Sequence, residues 1–87
     1  MKFITTRSDE DKEELFIFPK SIDHDAMAEA LDRIRNQTHG NWRRVFRDPI
    51  SAGFIDKNWM CYGNSETLNL VARPEDTELL RKQMGIF

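Results

Sequence analysis

"LFIFPKSIDHDAMAEALDRI", residues 15–34, holds the change of period that decides the fold. Before Pro19 the run is aromatic and β-branched, with Phe16 and Phe18 on one face of a strand. Proline cannot donate to a sheet ladder, so Pro19 closes that strand. From Asp23 the spacing lengthens: Met27, Ala30, Leu31 and Ile34 recur at i, i+3, i+4 and i+7, the stripe of a helix buried along one side. Asp23 is placed to be its N-cap, with Ser21 as the alternative, Asp25 suits the first turn, Glu29 and Arg33 are spaced to pair, and Gly40 is placed to end it.

Upstream, "KFITT" (residues 2–6) and "ELFIF" (residues 14–18) flank a charged segment and read as a hairpin with a polar loop. Downstream, "ISAGFI" (50–55) and "WMCYG" (59–63) flank the turn-forming "DKN" and predict a second hairpin. After the turn "GNSE", Leu68 and Leu70 alternate with Thr67, Asn69 and Val71 as in a half-buried strand. "RPEDTELLRKQMG" (73–85) has proline and acids at its start, basic residues near its end and glycine beyond, the signals of a helix. Leu79, Leu80 and Met84 form its apolar side, and Ile86 and Phe87 are expected to pack back on its last turn.

The order is β-β-α, one short ambiguous element, then β-β-β-α. It predicts an α+β fold: a mainly antiparallel sheet of about four to five strands with two helices packed on one face, the other face left to solvent or a partner. Eighty-seven residues make one domain, residues 1–87, near the lower size limit for a core without disulfides or metal. With 39% hydrophobic and 32% charged residues that core is thin, and a homodimer would enlarge it. The single Cys61 excludes an internal disulfide, which suits a reducing cytoplasm, and the longest apolar run, "LFIF", is too short to enter a membrane.

"HGNWRRVFRDP", residues 39–49, mixes arginine with aromatics as a phosphate grip would. At helical spacing, however, Trp42, Val45 and Phe46 fall on one side and Arg43, Arg44 and Arg47 on the other, so the aromatics are predicted to anchor a short helical turn between Asn41 and Pro49. A net charge of -2 argues against phosphate neutralisation as the main task. Nucleic-acid binding through Arg43, Arg44 and Arg47, widened by Arg33 and Arg35, is therefore the second reading.

Other candidate sites resolve into structural roles. "DHD" (23–25) lacks the remaining ligands of a metal centre at recognisable spacing and reads as a helix start, while His39 is expected to close the helix. Cys61, with His24 or His39 as base, sits in a strand with no cationic neighbour to activate it, and Ser65 and Glu66 are turn residues. No nucleophile, base and oxyanion donor assemble, so no enzyme, cofactor or metal is expected. Alternation in "WMCYG" sends Trp59 and Cys61 to one face and Met60 and Tyr62 to the other. Whichever pair faces away from the helices supplies the residue types enriched in binding surfaces.

The segments "GNWRRVFRDPISAGFI", "CYGNSETLNL" and "RPEDTELLRKQM" resemble a group of small uncharacterised proteins of lambdoid phages and prophages of enteric bacteria. The resemblance covers most of the chain from "FIFPKSIDHDAMAEAL" onward and carries no catalytic motif. It implies a bacterial host cytoplasm and an accessory protein that binds a host or phage macromolecule. Together these observations predict a non-enzymatic protein–protein interaction module whose partner is a host or phage protein, or itself as a homodimer.

Overall fold

The computed structural model describes residues 1–8, 11–38 and 47–85, with side chains for residues 1–8, 11–31 and 48–85. The elements are β1 (Lys2–Ser8), β2 (Glu13–Phe18), α1 (His24–Thr38), β3 (Arg47–Ile55), β4 (Cys61–Tyr62), β5 (Asn64–Ser65), β6 (Leu70–Val71) and α2 (Pro74–Met84). Four strands form an antiparallel sheet in the order β2-β1-β3-β4, and β5 pairs with β6 in a separate two-stranded sheet. The class is α+β, as expected. Because β1 runs antiparallel to both β2 and β3, those two are parallel to each other, and α1 is the crossover of a split β-α-β unit.

The helices do not share a face. Phe3, Leu15 and Ile55 pack with Leu79 and Leu80 of α2, joined by Ile17, Trp59, Cys61 and Ala72. Ile4, Phe18 and Ala52 pack with Met27 and Ala28 of α1, joined by Leu68 and Leu70. Phe3 and Ile4 are consecutive in β1, and consecutive strand residues point to opposite faces. The expected arrangement, both helices on one face and the other free, is corrected: α2 covers one face, and α1 with the β5–β6 turn covers the other. The cause lies in β1, where Phe3, Ile4, Thr5 and Thr6 are all buried, so that both faces need a cover. Full burial of a side chain the size of Phe3 or Leu80 is worth about 2–3 kcal/mol.

Three element boundaries also differ from expectation. β3 begins at Arg47, so Arg47, Asp48 and Pro49 are strand residues and not the end of a helical turn. Thr5 pairs with Ser51 but Thr6 with Pro49, leaving Ile50 as the extra residue of a bulge beside which proline is tolerated. β4 is confined to Cys61–Tyr62 because Trp59 adopts φ 61, and "TLNLV" contributes only Leu70–Val71 because Asn69 adopts φ 54 in the turn. Leu68 and Leu70 nevertheless reach the same cluster, as their alternation required.

Both helix starts agree with the sequence. The Met27 N–H donates to the Asp23 carbonyl, placing Asp23 at the N-cap of α1. α2 begins at Pro74 and ends on Gly85 at φ 71, a left-handed conformation that glycine adopts without strain. The stripe residues Ala30 and Leu31 are half-buried. Ile34, Arg33, His39, Gly40 and the final Ile86 and Phe87 fall outside the described side chains, as does the anchor set Trp42, Val45 and Phe46.

Candidate interaction surface

The β3–β4 turn is built by one aspartate. Asp56 Oδ1 accepts from the N–H groups of Asn58 (2.8 Å) and Met60 (3.0 Å), and the Asp56 backbone pairs with Met60 and Trp59. This local closure holds Trp59 in its left-handed conformation, which costs a residue with a Cβ roughly 1–2 kcal/mol. It turns the indole to a half-buried position against Phe3, Leu15, Ile55 and Leu80. Met60 and Tyr62 remain outside, 43% and 51% exposed. Tyr62 leans on Phe54 with ring centroids 5.8 Å apart, and Arg81 Nη2 lies 3.2 Å from Met60 Sδ and 3.3 Å from the Asn58 carbonyl oxygen. Of the three residues singled out in "WMCYG", two face solvent and Trp59 belongs to the core.

Both edges of the sheet are engaged by α2. Ser8 donates its N–H to the Lys12 carbonyl at the end of the β1–β2 ladder, so hydrogen-bonded pairs fall at even positions and Glu13, Leu15 and Ile17 turn their backbone groups outward. At Leu15 the Gln83 side chain meets both groups: Oε1 accepts the Leu15 N–H (2.8 Å) and Nε2 donates to the Leu15 carbonyl (2.9 Å). On the opposite edge, the Cys61 N–H of β4 donates to Thr77 Oγ1 (3.0 Å).

A buried carboxylate fixes α2 over the centre of its face. Asp76, at 0% exposure, accepts on Oδ1 from Thr5 Oγ1 (2.9 Å), Ser51 Oγ (2.8 Å) and Arg73 Nη2 (2.8 Å), and on Oδ2 from the Arg73 N–H (2.7 Å). The last bond is the N3-to-N-cap half of a capping box. Arg73 Nη2 continues to Glu13 Oε1 at 2.7 Å, and Arg7 Nη2 donates to Glu13 Oε2 at 3.1 Å. Arg73 first, and Arg7 second, hold the Glu13 carboxyl below its ordinary value of 4.5. Glu13 and Asp76 in turn keep the Arg73 guanidinium protonated more firmly than usual. Sequence reading placed Asp76 only as a charge near a helix start. The signal for more was its third position after Arg73, the spacing of a capping box.

The other candidates occupy structural positions. Burial first, then the Asp76 charge, pushes the Cys61 thiol up to about 11, so it stays protonated near neutrality. His24 is buried on the α1 side with Nε2 2.9 Å from the Gly53 carbonyl oxygen and edge-on contacts to Phe18 and Phe54. Ser65 Oγ accepts the Leu68 N–H and lies 3.2 Å from Thr67 Oγ1, a turn role. Arg47 stands opposite Ser8 in the β1–β3 ladder, and Arg35, Arg43 and Arg44 lie outside the described side chains. Among the described residues no group of three or more His, Cys, Asp or Glu is arranged to hold a metal, and no helix is long and apolar enough to cross a membrane.

No family model, curated protein or solved structure matches this chain.

Proposed function

We propose that this chain is a small non-enzymatic accessory protein acting as a protein–protein interaction module in a bacterial cytoplasm, phage or prophage encoded, with Met60 and Tyr62 at its contact surface. The observation that carries this reading is Tyr62, half exposed on a strand held on both sides, by β3 pairing and by the Thr77 bond to Cys61. An aromatic side chain on a fixed backbone offers contact area at little entropic cost, and such residues dominate binding energy at interfaces. Arg81, beside Met60, brings positive charge to this surface, which favours an acidic or mixed partner surface over a basic one. The partner is a host or phage protein.

The test is quantitative capture of bacterial lysate proteins on immobilised wild-type chain and on a folded Tyr62→Ala variant. A protein held by the wild type and lost or weakened at least tenfold in the variant supports the reading; identical capture by both, or none by either, defeats it. The second reading, nucleic-acid binding through Arg43, Arg44 and Arg47, separates in the same experiment. Retention of DNA or RNA that collapses between low and moderate salt, and is lost in Arg43→Glu/Arg44→Glu, favours it.

A further inference from the structure

The two hydrogen bonds between Gln83 and Leu15 reproduce what a neighbouring strand would provide. In an antiparallel sheet, a residue of a hydrogen-bonded pair gives its N–H to, and takes an N–H from, one residue opposite. Gln83 supplies an acceptor at 2.8 Å and a donor at 2.9 Å from one planar amide to one residue, Leu15. We propose that the β2 edge is a strand-pairing site for a second copy of this chain, β2 against β2, and that the Gln83 amide occupies it in the monomer.

The residues of β2 fit that occupant. An antiparallel pair with its two-fold axis at Leu15 puts Leu15 opposite Leu15, Glu14 opposite Phe16 and Glu13 opposite Ile17, so no carboxylate directly faces another. The six residues Glu13–Phe18 match the usual strand length, and the edge carries no proline or bulge to blunt it. The opposite edge is different: β4 has only two residues, with its Cys61 N–H given to Thr77. Gln83 is exposed, so removing its amide opens the edge without opening the core beneath Leu80.

The test is Gln83→Met, which keeps side-chain length and helix propensity but cannot bond the edge. Light scattering over a concentration series is expected to show its mass rising from that of one 10.3 kDa chain toward double, at concentrations where the wild type stays lower. Hydrogen exchange at the Leu15 amide should then slow as concentration increases. A Gln83→Met protein that melts cooperatively yet matches the wild type in mass at every concentration overturns the proposal. If that variant does not fold, exchange in the wild-type chain decides. Protection of Leu15 well above that of the exposed turn amide Lys57 supports the plug, and equal exchange at the two positions overturns it.

Discussion

The two faces of the sheet are covered by helices attached in different ways. α2 is tied by directional bonds to every strand of the main sheet: Asp76 to Thr5 of β1 and Ser51 of β3, Arg73 and Gln83 to Glu13 and Leu15 of β2, and Thr77 to Cys61 of β4. The described part of α1 rests on apolar packing of Met27 and Ala28, with the His24 imidazole bonded to Gly53 and Lys2 Nζ bonded to the Ile22 carbonyl beside its start. Apolar contact is indifferent to small slides of one element over another, whereas a buried carboxylate with hydroxyl and guanidinium donors accepts one position. The contrast predicts that α2 sets the geometry of the sheet edges and that α1 tolerates more variation.

The largest effect belongs to Asp76. Replacing it with Ala strips the acceptor from Thr5, Ser51 and Arg73 at a fully buried point, and leaving such groups unpaired costs roughly 3–5 kcal/mol. Chemical denaturation should show a loss of that order; a loss below about 1 kcal/mol would mean that α2 is held by Leu79 and Leu80 alone. His24→Ala is the matching lesion on the other face. It removes one hydrogen bond and two edge-on ring contacts and should cost about 2 kcal/mol, less than Asp76→Ala. The reverse order would overturn the comparison.

The sequence made the ends of α2 legible, because Pro74 and Gly85 act through local backbone geometry, while for the start of α1 it offered Asp23 and Ser21 as alternative caps and the structure takes Asp23. The face each helix takes was not legible. A stripe such as Met27–Ala30–Leu31 shows that a helix must be buried, but the choice of face depends on β1, whose run Phe3 to Thr6 is buried on both sides. Strand ends were lost where Trp59 and Asn69 take positive φ, a conformation for which Asn has some tendency and Trp none. The Asp76 cluster joins residues 71 and 25 positions apart, and no periodicity carries that information. Of the residues singled out for binding, Tyr62 is exposed on the short β4 and Met60 just before it beside Arg81, while Trp59 turns inward.

The Glu13 bridge gives the contrast a pH signature. Its folded-state pKa lies below the ordinary value, so ionised Glu13 contributes stability that is present above that value and is lost as pH falls through the lowered one. The difference in melting temperature between wild type and Glu13→Gln should therefore be constant above about pH 5.5 and shrink in acid. A difference that persists unchanged at pH 2 would show that the loss comes from packing and not from the charge that Arg73 and Arg7 face. Partial exposure of the bridge keeps the effect smaller than either buried lesion.

The smallest stability change is expected at Tyr62, and its smallness is what makes the residue informative. Tyr62→Ala removes a half-exposed ring that touches Phe54 but leaves the β3–β4 pairing, which uses backbone groups, and the Thr77 bond to its neighbour in place. Surface substitutions of this kind usually move stability by no more than about 0.5 kcal/mol, with up to about 1 kcal/mol more from a lost aromatic pair. Unfolding midpoints should thus stay close to wild type while partner capture falls. A Tyr62→Ala protein as unstable as His24→Ala would place the ring among the structural supports of the α1 face. Its exposure would then reflect a thin core and not a surface kept for contact.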